Sequence, residues 1–256
     1  MRHAAVLLMA VAVAAAPQTA VIENAGKPLA VPFHCDAEKL DEAGLSCSPE
    51  EPCRIYLELS GVEVVGAKVF LTGNLHTATT TLESIVLVSA DNGHTWTEPY
   101  ERMPFTSLEG VQFIDFQRGW IAGETVQPVP RNPFFLITGD GGKTWRRLPV
   151  FEEDHPGAVE GFWFGSRDGG RLLIDSGAPA DRHELYETTT GGTDWVLRSR
   201  SSAPVALHAG HPRDGATDWR IHAERNPSTY RIERRAGGAW QPLAEFLIEP
   251  ASCAGN

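Results

Sequence analysis

The residues able to bind metal or move protons are nine histidines and thirty-three carboxylates spread over 256 positions. His208, His211 and His222 form one cluster, and a His-x2-His-x10-His arrangement across two strands can approach a metal. His208 and His222, however, alternate with apolar neighbours as strand surface residues do, which favours a structural reading. Asp168-Gly169-Gly170 and Asp214-Gly215 look like calcium loops. Each offers a single carboxylate where calcium wants several oxygens at fixed intervals, so turn chemistry accounts for both. The Gly-x-Ser-x-Gly elbow, the Gly-x4-Gly-Lys-[ST] phosphate loop and the His-Glu-x2-His helix are all absent from the sequence. No catalytic residue, cofactor or metal is assigned, and the expectation is a protein that does no chemistry.

The residue types favour binding instead. His76 to Thr81 is a Thr-rich connection, and Glu124 to Pro133 is Pro-rich. Gly177 to Arg182 and Glu224 to Pro227 occupy corresponding places further on. A threonine row presents hydroxyls to a sugar or peptide, and a stiff proline segment can wall a groove, on loops carried by a rigid frame. A plain hydrophilic connection explains the same residues and is the favoured reading of them.

The elements that must position these loops come from a repeat. The octad from Ser89 to Trp96 (SADNGHTW) returns from Thr138 to Trp145 (TGDGGKTW), both fitting [ST]-x-D-x-G-x-x-W. Weaker copies end at Trp195 and Trp240, keeping Gly192 and Gly237 three residues before the Trp and losing the Asp. The tryptophans lie 49, 50 and 45 residues apart, the period of a four-stranded propeller blade rather than a helical or leucine-rich repeat. Each octad follows a β-prone run: Ser84 to Val88, Pro133 to Ile137, His183 to Glu187 and Ser228 to Ile232. It therefore reads as a hairpin turn, with Asp91 and Asp140 accepting loop N–H groups, Gly93 and Gly142 supplying positive φ, and the indoles Trp96, Trp145, Trp195 and Trp240 dropping between neighbouring sheets. Two strands precede each run, as at Val111 to Asp115 and Trp120 to Gly123; in the fourth unit they are Val205 to His208 and Asp218 to His222. One strand follows each octad. The one segment with helical character is Asp36 to Ala43.

Composition agrees. With 42% hydrophobic and 21% charged residues, 25 Gly and 18 Pro, the chain is globular and rich in turns. Its net charge of -11 contains no basic patch for nucleic acid. Met1 to His3 precede an apolar stretch from Ala4 to Ala16, too short for a transmembrane helix and read as a signal peptide cut after Ala15 or Ala20. A secreted or periplasmic protein with no membrane contact after cleavage is expected. Cys35, Cys47, Cys53 and Cys253 then imply two disulfides. Three pairings are open, and each ties the two chain ends together. The C-x11-C-x5-C spacing lacks the tight pairs of a zinc site.

At these octads the chain resembles the Asp-box (BNR) repeat β-propellers, and the run from Val111 to Gly123 (VQFIDFQRGWIAG) is most similar to the photosystem II stability and assembly factor group and its exported bacterial relatives. The resemblance implies that Ser89, Asp91, Thr138 and Asp140 are structural rim residues rather than catalytic acids. A sialidase-like reading would imply six blades, an Arg-Ile-Pro entry motif, an arginine triad and a Tyr–Glu pair, whereas Arg54 here stands in Arg-Ile-Tyr and about four blades are present.

The expected organisation is a signal peptide at 1–20, a Cys-rich leader or cap at 21–53, and an all-β propeller at 54–248. Its four-stranded antiparallel blades lie at about 54–102, 103–150, 151–200 and 201–248, with a tail at 249–256. Four blades are favoured, with five as the alternative. The expected function is non-catalytic binding of a protein or glycan, with protein-complex assembly as the leading role and carbohydrate binding or sialidase-like hydrolysis as the alternative.

Overall fold

A computed structural model describes residues 21–23, 28–127, 131–155, 157–207, 218–224 and 229–254. The signal segment, His208, His211 and Asp214-Gly215 lie outside the described residues.

Four sheets follow one another along the chain. The first contains β4 (Tyr56–Val65), β5 (Lys68–His76), β6 (Thr81–Ser89) and β7 (Thr95–Thr97), with β1 (Val21–Glu23) added outside β7. The second contains β8 (Thr106–Phe113), β9 (Gly119–Thr125), β10 (Asn132–Thr138) and β11 (Arg146–Pro149). The third contains β12 (Ala158–Phe164), β13 (Gly170–Asp175), β14 (His183–Thr188) and β15 (Val196–Ser201). The fourth runs β16 (Trp219–Ala223), β17 (Thr229–Ala236), β18 (Ala239–Glu249) and β2 (Leu29–Pro32), the last in parallel with β18. Successive antiparallel meanders packed face to face are the blades of a propeller. The chain is an all-β propeller.

The indoles show how the blades lock. Trp96, fully buried, meets Phe246 of the fourth sheet edge-on at 5.2 Å. Trp145 meets Tyr100, which follows the first sheet, edge-on at 6.3 Å. Trp195 stacks on Phe135 of the second sheet at 5.3 Å. Each octad thus drives its Trp back onto the preceding blade, and Trp96 joins the first blade to the last.

The fourth octad departs from this rule. Gly237 and Gly238, both at positive φ, make a two-residue hairpin between β17 and β18, and Trp240 lies beneath the Arg220 guanidinium at 4.4 Å. Trp240 is therefore not an anchor equivalent to the other three. The octad's Asp position is held by Arg235, so no side-chain oxygen gathers the loop N–H groups and the tighter turn forms.

The expected strand Val205 to His208 is not formed over 205–207, where Pro204 removes a ladder donor at the start. Leu207 nevertheless lies beside β12: a Cβ on Gly161 would come 3.1 Å from its Cδ1. The leader also does more than cap. It supplies β1 and β2 to the first and fourth sheets, as well as helix α1 (Ala37–Glu42), capped by the Asp36 carboxylate. Lys39 of α1 reaches Glu83 at 2.8 Å, and Arg102 joins Glu83, Glu98 and the Pro32 carbonyl, pinning the leader to the first blade.

The disulfides are Cys35–Cys253 and Cys47–Cys53. The first closes the chain ends, reinforced by β3 (Cys53–Arg54) pairing with β19 (Ser252–Cys253). Among the described residues no helix is long and apolar enough to cross a membrane.

Candidate functional site

The inner strands carry a second repeat, separate from the octads. Leu59-Ser60-Gly61, Leu108-Glu109-Gly110 and Val159-Glu160-Gly161 recur at spacings of 49 and 51 residues. In each, the pairing with the next strand slips by one residue at the middle position, a β-bulge. The glycines let the inner strands converge: a Cβ on Gly61 would sit 2.9 Å from the Gly110 Cα.

The second strands carry a matching phrase, Thr72-Gly73-Asn74 and Ala122-Gly123-Glu124. Asn74, buried, accepts a hydrogen bond from the Leu108 N–H (2.8 Å) and donates to the Leu108 carbonyl (3.2 Å). Glu124, only 7% exposed, accepts from the Val159 N–H at 3.0 Å through Oε2. Leu108 and Val159 occupy the same place in the inner-strand repeat, so each side chain stitches one blade to the next. Sequence reading missed these residues because each repeat position carries a different polar type; the shared Leu/Val-x-Gly phrase was the signal that could have found them.

Above the stitches opens a cleft of about 630 Å³, within the range of small-ligand sites. Glu58, Asn74, Glu109, Glu124 and Arg131 line it, with the rim from His76 to Thr81. The Thr-rich connection singled out in the sequence therefore borders the cleft, as does the start of the Pro-rich one; residues 128–130 of the latter lie outside the described residues. Thr77 closes the rim on itself, its N–H donating to the Thr80 carbonyl and its hydroxyl oxygen accepting from the Thr80 N–H.

Burial pushes the Glu124 carboxyl up to about 7; the Val159 N–H opposes this, the Glu109 charge adds to it and Arg131 offsets it. Burial also raises Glu109, opposed by the Ser107 hydroxyl, which donates to it at 2.7 Å, and supported by the Glu58 charge. Two carboxyls raised by burial in one cleft are the raw material of acid–base catalysis. Here each is also committed to the frame by a hydrogen bond, and one arginine, Arg131, lines the cleft where a sialidase-like site would imply three.

A hydrogen-bonded Tyr–Glu pair lies outside the cleft. Tyr186 donates to Glu184 at 2.7 Å, while His155 and Arg200 approach the same carboxylate at 3.0 and 2.8 Å. Burial, with the carboxylate holding the proton, drives the Tyr186 hydroxyl far above its usual range, the opposite of an activated nucleophile.

The octads themselves form clasps. Asp91 Oδ1 accepts from the Ser89 hydroxyl and the Thr95 N–H, both at 2.8 Å, while Oδ2 accepts from the Thr95 hydroxyl at 2.7 Å. Asp140 repeats this with Thr138 and Thr144. In the third turn the Thr190 hydroxyl oxygen takes the Asp place and accepts from the Asp194 N–H at 2.9 Å. The backbone and side-chain bonds from Thr95 hold the Asp91 carboxyl down at about 2. His222 is exposed on β16, and no group of three His, Cys, Asp or Glu side chains fit to hold a metal occurs among the described residues.

No protein-family model and no curated protein matches the chain. Among solved structures it is similar to YCF48 bound to D1 peptide, with 16% identity over 77% of this chain and 60% of that one and a TM-score of 0.43. It is also similar to YCF48 from Cyanidioschyzon merolae, with 18% identity over 73% and 56% and a TM-score of 0.39. A GH43 β-1,3-galactosidase with galactodeoxynojirimycin matches at 8% identity over 76% of each chain, with a TM-score of 0.39. The chain spans less than two thirds of the length of either YCF48 chain. Likeness at this level carries no functional argument. What stands is the architecture given by the chain's own sheets: a β-propeller with disulfide-tied ends and a polar cleft at the mouth of its inner strands.

Proposed function

We propose that this protein is an exported, non-catalytic propeller scaffold that binds a polypeptide at the mouth of its inner strands, in the manner of a protein-complex assembly factor. The observation that supports it best is the division of labour in the cleft: Asn74 and Glu124 spend hydrogen bonds on blade-to-blade stitches, while Ala78 and Thr79 of the rim and Glu58 are exposed. Such a cleft is rigid at its base and polar at its rim, which suits recognition of an extended segment. Export rests on the apolar leader and on the two disulfides. The test is photo-crosslinking from a benzophenone residue at Thr79 in envelope extract. A discrete protein adduct that an excess of the unmodified protein competes away supports the reading, and absence of any adduct overturns it.

Hydrolysis or binding of a glycan is the second reading, favoured by the two raised carboxyls in one cleft. Turnover of an aryl glycoside or sialoside that disappears in Glu124→Gln or Glu109→Gln would replace the first reading with this one.

A further inference from the structure

We propose that the cleft takes a cationic side chain, an ammonium or guanidinium, from its polypeptide ligand, held among Glu58, Glu109 and Glu124. This deepens the reading above and rests on it.

Three blade elements converge on the spot: Glu58 from β4, Glu109 from the β8 bulge and Glu124 from β9, against the single guanidinium of Arg131. Neighbouring charge does not cancel the excess. Glu160, at the equivalent bulge of β12, is occupied by His183 at 2.6 Å, and the His76 ring is engaged through Nδ1 with the Thr77 carbonyl at 2.7 Å. Glu124 carries the argument furthest. It is more than nine-tenths buried, Oε2 is used by the Val159 N–H, and Oε1 has no partner among the described residues while the side chain lines the cleft. A desolvated carboxyl with an open oxygen is costly to ionise alone and is relieved by a cation that brings its own donors. A neutral sugar gains no such relief, and an acidic segment is repelled. The chain's net charge of -11 draws basic segments toward it. Because the cation favours the ionised forms of Glu109 and Glu124, its binding expels protons and strengthens as pH rises from about 5.5 to about 8.

The experiment uses the full disulfide-bonded protein and fluorescein-labelled hexapeptides of Ala, Ser and Gly carrying two Lys, two acetyl-Lys or two Glu, read by anisotropy, with spermidine as a free-amine arm. The Lys peptide is expected to bind at least about tenfold tighter than its acetylated twin, the worth of one charge-assisted contact. Glu124→Gln with Glu109→Gln should erase that preference and its pH dependence. The amide introduced by Glu124→Gln still offers an acceptor oxygen to the Val159 N–H, and the exposed Glu58→Gln serves as a second variant whose amide oxygen can still accept the long, 3.5 Å bond from Asn74. Equal binding of Lys and acetyl-Lys peptides, both blocked by Thr79→Tyr, overturns the charge inference and leaves polypeptide binding standing. Failure of every peptide while spermidine binds with the same Glu dependence keeps the cation and removes the polypeptide. Failure of all four probes overturns both.

Discussion

The side-chain amide of Asn74 engages both backbone polar groups of Leu108, at 2.8 and 3.2 Å, and so splices the second strand of one blade to the inner strand of the next. An inner strand has one edge free of ladder partners, and Asn is the side chain that can serve an N–H and a C=O at once.

Asn74→Ala should therefore strand two buried backbone groups and cost roughly 2–4 kcal/mol. Denaturant unfolding checks this; a loss below about 0.5 kcal/mol would show that water replaces the amide. Asn74→Asp should also destabilise, since a carboxylate cannot donate to the Leu108 carbonyl.

Glu124 performs the analogous stitch with an acid whose folded value, about 7, lies above its usual 4.5. Below about pH 4.5 the group is protonated in folded and unfolded chains alike, and its contribution is fully present; between there and about 7 the unfolded chain releases the proton first, so stability falls as pH rises. The loss is at most about 3 kcal/mol. Urea midpoints measured from about pH 4.5 to about pH 8 should decline in the wild type and flatten in Glu124→Gln.

Gly61 and Gly110 are equivalent in sequence but not in space. A Cβ at Gly61 would lie 2.7 Å from Thr72 Oγ1 and 2.9 Å from the Gly110 Cα, whereas one at Gly110 meets only Phe162, at 3.6 Å. Gly61→Ala should cost about 1–3 kcal/mol through overpacking against backbone. Gly110→Ala should be nearly silent in the same thermal melt.

The two disulfides should differ in worth. Cys35–Cys253 spans 218 residues and Cys47–Cys53 spans 6, so loop entropy assigns them about 5 and about 2 kcal/mol respectively. Paired Cys→Ala variants compared by guanidinium unfolding would show the order, and a larger loss at Cys47–Cys53 would contradict it.

Asp91→Asn and Asp140→Asn should loosen their turns, read as faster amide exchange at Thr95 and Thr144, while leaving ligand binding at the cleft unchanged. The third turn, where Thr190 does the work of Asp, already shows that the clasp tolerates a neutral acceptor.

The sequence by itself determined what is local and periodic. The octads announce hairpins because Asp, Gly and Trp at fixed offsets satisfy one turn's own hydrogen bonds. The apolar runs before them announce strands, and the segment after Asp36 announces a helix capped by its carboxylate. Only the tertiary structure decided what joins one repeat to another. The cysteines allowed three pairings until folding brought Cys253 to Cys35. Trp240 kept its spacing and lost its role because Arg235 stands where the other turns carry a side-chain oxygen, from Asp or Thr, that gathers the loop N–H groups. Asn74 and Glu124 share a function no residue-type pattern displays, since what they recognise is backbone some 35 residues away. Contacts of that kind depend on where blades meet, and that is fixed by the packing of whole sheets.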